Sequence, residues 1–199
     1  MIKAIIFDLS EVYLKGLLGT GKYLEKKLGI KEDKIQLKFQ GKELTSLFEG
    51  KISEDEYWKK INKKNNWNIN IQEFKGAVRK NFKEIYGTRE IVEKLKERGF
   101  KLGLLSDHSK EWVNHCNKKF DYHKLFNSVL YSFEVEVCKP NKKMYNLMLK
   151  KLNVSPNECI FIDDNMNNII PAKKLGINTL QFKNPEQLKK ELIKLGVKI

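Results

Sequence analysis

Cysteine is scarce in this 199-residue chain: Cys116, Cys138 and Cys159 stand far apart, with no CxxC pair. An odd, unpatterned count excludes a disulfide framework and a cysteine-ligated zinc site, and it leads us to expect a reducing, cytoplasmic setting. Long apolar runs are also missing, and none approaches the roughly 20 residues that span a bilayer. Met1-Ile2-Lys3 runs straight into a strand-like stretch, so no secretory signal is expected. No internal repeat or low-complexity segment is present. Gly16, Gly19 and Gly21 lack the G-x-G-x-x-G spacing of a dinucleotide fingerprint.

What is present is ample hydrophobic content, 41%, for one domain with a modest insertion, and a net charge of +14. Lysine greatly outnumbers arginine and is spread along the chain. A nucleic-acid surface would cluster both with exposed aromatics, so no nucleic-acid partner is expected. The field instead favours small anionic ligands.

The first residues carry the strongest pattern. Ile2 to Phe7 is a short apolar run that stops at Asp8, which reads as a strand buried on both faces with an acid at its carboxyl end. From 14 to 86 the texture is helical. A helix is expected over 20–28, closed by Gly29. Another is opened by the capping box Ser53–Glu56, and a third carries Ile71, Phe74, Val78, Phe82 and Ile85 on one face. Phe39, Tyr57, Trp58 and Trp67 are expected to pack a small core there, with Gly16, Gly19 and Gly21 as a hinge. From 87 onward strands and helices alternate. Strands are expected near 101–105, 128–131, 159–162 and 178–181, with helices between them and a final helix over 185–195. This predicts a parallel sheet with helices on both faces.

Polar signals fall at or just beyond the strand ends: Asp8, Ser106, Lys139 and the pair Asp163-Asp164. In a parallel sheet these ends share one edge, where ligand sites form. Three carboxylates repel one another unless a cation holds them, and oxygen-only ligands suit Mg²⁺. A lysine and a hydroxyl beside such a cation would stabilise a phosphoryl group, and an Asp carboxylate can act as a covalent nucleophile.

Phe7-Asp8-Leu9, Leu105-Ser106-Asp107, Lys139-Pro140 and Phe161-Ile162-Asp163-Asp164-Asn165 together resemble the four motifs of the haloacid dehalogenase (HAD) superfamily, in that family's order. The stretch from 139 to 182 is similar to its phosphatase branch, typified by sugar-phosphate phosphatases and the N-terminal domain of soluble epoxide hydrolase. The resemblance implies an α/β fold: a Rossmann-like three-layer α/β/α core over 1–13 and 87–199, with a small all-helical cap at 14–86 inserted after the first strand. It further implies a Mg²⁺-dependent phosphatase acting on a small phosphorylated substrate. Asp8 would be nucleophile and metal ligand, and Ser106 would bond a phosphoryl oxygen. Lys139 would balance charge, with Asp107 beside them at the substrate. Asp164 with Asp163, and the Ser10 carbonyl, would complete the metal site.

One position departs from the pattern. The family's phosphatases usually carry a second Asp two residues after the nucleophile as general acid–base; here Ser10 stands there. Glu11 and His108 are the nearby candidates to replace it. The departure opens a second reading, a catalytically weak HAD domain that binds a phosphorylated ligand or protein partner. A 2-haloacid dehalogenase is a third, which the paired acids at 163–164 argue against.

Overall fold

The computed structural model describes residues 1–199. Five strands form one all-parallel sheet: β1 (Ala4–Phe7), β2 (Lys101–Ser106), β3 (Ser128–Tyr131), β4 (Cys159–Asp163) and β5 (Asn178–Gln181), in the order β3-β2-β1-β4-β5. β1 is central, and its four residues are fully buried because both its faces are covered. Ile5 and Phe7 join one hydrophobic core, while Ala4 and Ile6 join the other. β4 alternates likewise, with Ile160 and Ile162 on the first face and Cys159 and Phe161 on the second. Side chains of successive strand residues point to opposite faces, so a continuous apolar run serves two helical layers at once.

The helices number α1 (Glu25–Leu28), α2 (Glu32–Lys38), α3 (Lys42–Phe48), α4 (Glu54–Asn65), α5 (Ile71–Asn81), α6 (Thr88–Glu97), α7 (Lys110–Phe120), α8 (Ser132–Val135), α9 (Lys142–Leu152), α10 (Met166–Lys174) and α11 (Pro185–Lys194). α6, α7 and α11 cover one face of the sheet, and α9 and α10 the other. This is the Rossmann-like α/β/α architecture expected.

Between β1 and α6 the chain is helical. The helix expected over 20–28 is instead a 3₁₀ turn, Thr20–Tyr23, followed by the single turn of α1. α2 and α3 form where no helix was expected, since neither presents a long apolar face: only Ile35, Gln36, Glu43 and Leu47 of the two are buried. The capping box at Ser53 is present, with its hydroxyl accepting from the Glu56 N–H and the Glu56 carboxylate accepting from the Ser53 N–H. The helix expected to reach Ile85 ends at Asn81. Asn81 donates to the carbonyls of Gly16 and Leu18, and residues 83–85 run antiparallel to 13–15 as the return strand of a two-stranded neck. The aromatics pack inward as expected: Phe39, Tyr57 and Trp58 are fully buried, and Trp58 stacks on Phe74 at 4.5 Å.

This helical segment is bound tightly to the sheet domain. Glu54, fully buried, pairs with Arg79 and accepts hydrogen bonds from the indoles of Trp112 (2.7 Å) and Trp58 (3.3 Å). A buried carboxylate is tolerated only when its lone pairs are filled this way. The Ser132 hydroxyl donates to the Phe48 carbonyl across the same seam.

Candidate functional site

The carboxyl ends of β1, β2 and β4 open on a cavity of about 390 Å³ between the sheet domain and the helical segment. Parallel pairing sets Phe7 level with Leu104 on one side and Ile162 on the other, so Asp8 and Asp163 emerge side by side. The Asp8 N–H donates to the Ile162 carbonyl, and the Asp8 carboxylate accepts the Leu9 N–H at 2.7 Å.

Lys139 ties these acids together. Its ammonium lies 2.7 Å from Asp163 Oδ2 and 3.0 Å from Asp8 Oδ1, and it donates to the Leu105 carbonyl at 3.2 Å. Burial alone would make the ammonium lose its proton more readily. Asp163, Asp8 and Asp107 outweigh that and hold its pKa above the ordinary lysine value. The Asp107 carboxylate accepts the Lys139 N–H at 3.0 Å, fixing where the lysine enters.

Asp8, Asp163 and Asp164 bring carboxylate oxygens within 4.8 Å of one another. Burial, with Asp163 and Asp164 nearby, raises the Asp8 pKa well above the usual carboxylate range despite Lys139. Asp164 is pushed up to about 6, first by burial and then by Asp163. One ammonium therefore leaves the cluster short of positive charge. The donor set, oxygen only and carboxylate-rich, suits Mg²⁺.

The acids are not equivalent. Asp163 is fully buried and saturated: it accepts from Lys139, from the Asn165 N–H and, on both oxygens, from the Asn168 amide at 3.1 and 3.0 Å. Asp8 and Asp164 line the cavity; Asp163 does not. Gln181 holds the Asp164 carbonyl at 3.0 Å. Asn168 was missed from the sequence. Its place in the first turns of α10, five residues after Asp163, is the signal that could have found it.

Ser10, Asp107 and Lys139 also line the cavity, whereas Ser106 does not. Ser106 is fully buried at the end of β2, and its hydroxyl has no protein partner. No protein donor reaches the Ser10 carbonyl. The Ser10 side chain is turned toward Gly16: a Cβ at Gly16 would lie 2.8 Å from its hydroxyl, so the turn closes only with glycine there.

The two candidate substitutes for the missing acid are engaged elsewhere. Glu11, at φ 59°, accepts the Gly16 N–H at 2.8 Å and Lys15 at 3.0 Å, which closes the turn after β1. His108 is buried between Phe48, Phe82 and Trp112, and its Nδ1 accepts the Ser109 N–H. Burial drops its pKa to about 4, so it is a neutral packing group that does not line the cavity. Asp107, which also lines the cavity, is pushed up to about 6 by burial, as Asp164 is.

Comparison with known proteins agrees with this architecture. The family model described as haloacid dehalogenase-like hydrolase matches residues 5–182. YhcW of Bacillus subtilis is 28% identical over 189 residues, covering 92% of this chain and 84% of YhcW. The glyceraldehyde 3-phosphate phosphatase of Pyrococcus abyssi is 31% identical over 104 residues, 51% of this chain and 43% of that protein. The HAD family enzyme bt-2542 of Bacteroides thetaiotaomicron, solved with magnesium and inorganic phosphate, has a TM-score of 0.73 at 23% identity, covering 92% of this chain and 96% of that one. Dehalogenases are also among the structures it resembles. The chain belongs to the haloacid dehalogenase-like hydrolases.

Proposed function

We propose that this hydrolase is a Mg²⁺-dependent phosphatase that cleaves a small phosphomonoester through an aspartyl-phosphate on Asp8. The observation that carries the reading is the cluster at the sheet edge: Asp8 beside a buried ammonium, with Asp164 facing the same cavity and Asp163 locked behind. A hydrolytic dehalogenase needs no metal, so three carboxylates gathered where a cation would hold them favour phosphoryl chemistry. The phosphatase relative and the magnesium and phosphate bound to a structural neighbour point the same way.

In this reading Asp8, Asp164 and the Ser10 carbonyl hold the ion, which supplies positive charge against the phosphoryl oxygens. Asp163 acts through Lys139, which it keeps protonated and aimed at Asp8. Asp8 attacks phosphorus, and the bond from phosphorus to the leaving oxygen breaks as the new one forms. The Lys139 ammonium stabilises the equatorial charge, and Ser106, whose hydroxyl has no protein partner at the end of β2, is the proposed donor to a phosphoryl oxygen. Water then attacks phosphorus and frees Asp8. With serine at position 10 the leaving oxygen departs without the usual carboxyl donor, so aryl phosphates outpace alkyl phosphates. In the same reading residues 1–13 and 87–199 form the catalytic core and 14–86 the cap.

The test is phosphate release from p-nitrophenyl phosphate. Turnover that requires Mg²⁺, stops in EDTA and falls by roughly 10⁴-fold or more in Asp8→Asn is expected, as for loss of a covalent nucleophile. Full activity in EDTA would overturn the reading.

A further inference from the structure

The helical segment joins the sheet domain through a two-stranded neck, and the sequence expects Gly16, Gly19 and Gly21 to make that neck a hinge. A unit that moves on a hinge has a core of its own, and a large apolar interface suppresses such motion. Here one hydrophobic core runs through both parts. Phe39, Trp58 and Phe74 of the segment belong to the same buried cluster as Phe7, Leu104 and Trp112 of the sheet domain. The seam between them is aromatic: Phe48, Tyr57 and Phe82 each meet the Trp112 ring edge to face. Glu54 lies at its centre. Its N–H donates to Glu111 Oε1 at 3.1 Å, and its buried carboxylate takes the Trp112 indole N–H at 2.7 Å. Parting the seam would expose these rings to water and solvate a single carboxylate in return.

The glycines of the expected hinge are taken up by packing. Gly21 is buried, and a Cβ there would lie 2.8 Å from the Glu32 carbonyl oxygen; at Gly16 it would lie 2.8 Å from the Ser10 hydroxyl. Glycine at such positions allows close approach and is held in place by it. The cavity also needs no domain motion to admit a ligand. Gln40, Gly41 and Asn165 line it and are exposed, so it reaches the surface between the starts of α3 and α10.

We infer that the helical segment is a fixed wall, latched to the sheet domain at Glu54 and Trp112, and that ligands enter and leave by the mouth at Gln40, Gly41 and Asn165 without the segment swinging on its neck.

The test locks the segment in place and reads turnover. A Cβ at Gly50 would lie 3.2 Å from the Phe133 Cβ across the seam, close to the roughly 3.5–4.5 Å span of a disulfide. Gly50→Cys/Phe133→Cys is made in a Cys138→Ser background, because Cys116 and Cys159 are buried and Cys138 is not. The protein is oxidised, the bridge between positions 50 and 133 is confirmed by peptide mapping, and p-nitrophenyl phosphate turnover with Mg²⁺ is compared before and after reduction. Values of kcat and KM agreeing within about threefold are expected. A larger loss in the bridged form, restored by reductant, means that turnover requires opening and overturns the inference. A second pair in the same background, Lys42→Cys/Asn167→Cys, carries spin labels at exposed positions on either side of the mouth. One narrow distance distribution is expected, unchanged when Mg²⁺ and orthophosphate are added. A second, longer population, or a shift of more than about 5 Å, is hinge motion and overturns the inference. These distances need no turnover. If the bridge does not form they decide the matter, and if neither form releases phosphate the phosphatase reading falls while they still show whether the wall is fixed.

Discussion

The floor of the cavity and the wall that the helical segment contributes are built on opposite principles. The floor is charged, buried and internally bonded: Lys139, Asp163, Asn165 and Asn168 hold one another with few free donors. The wall is neutral: Leu17, Leu18, Gln36, Gln40, Leu44 and Thr45 carry no charge. A preorganised, desolvated charge array is what phosphoryl chemistry needs, whatever the substrate. In the proposed function the floor carries the reaction, and changes in floor and wall should show different signatures.

The largest effect is expected on the floor. Lys139→Met strands two buried carboxylates, and loss of one member of such a pair costs about 3–5 kcal/mol. Chemical denaturation checks this, and turnover should fall with it. A stable, active Lys139→Met protein would mean the floor is not organised by that ammonium.

Next comes the departure at position 10. Ser10→Asp should raise the rate on alkyl phosphates by about 10–100-fold, reaching at most the lower end of the roughly 10²–10⁴-fold that general acid catalysis supplies. Aryl phosphates should gain little. Equal gains on both would show that proton donation to the leaving group is not what the serine lacks. The close approach of Gly16 to the serine sets how freely the new carboxyl can turn toward the cavity.

The subtlest expectation concerns the seam between the two regions. His108 has a pKa of about 4 when folded against 6.5 when unfolded, because burial disfavours its charged form. Between these values the unfolded chain binds more protons than the folded one, so His108 makes stability fall as pH drops, by at most about 1.4 kcal/mol per pH unit. In His108→Asn the loss of Tm between pH 6.5 and pH 4 should be shallower than in wild type. An unchanged slope would mean the imidazole is not held neutral by the aromatic seam.

How much of this was legible in the sequence follows the same division. β1 and β4 were readable because a strand buried on both faces leaves an unbroken apolar run, and Asp8, Asp163 and Asp164 because strand ends of a parallel sheet share an edge; Lys139, beyond β3 and α8, was marked only by its Lys-Pro motif. α2 and α3 were not: they bury few residues, and half of those are polar, so their periodicity is faint. The end of α5 was misplaced because Phe82 and Ile85 continue the apolar spacing while tertiary pairing of 83–85 with the neck breaks the helix. The burial of Gln36 carried no signal, since an amide on a weakly amphipathic helix looks like a solvated one. Ser106 and Asp163 were placed at the site by their motifs, but only the structure shows that both lie behind the cavity surface.

The central claim is that Asp8 becomes phosphorylated. The direct measurement is acid quenching of the enzyme during turnover of p-nitrophenyl phosphate with Mg²⁺, followed by peptide mass mapping. A phosphoryl group on the peptide bearing Asp8, removed by hydroxylamine and missing from Asp8→Asn, is the predicted result. Turnover with the phosphoryl group found on another residue, or undiminished in Asp8→Asn, would contradict the account.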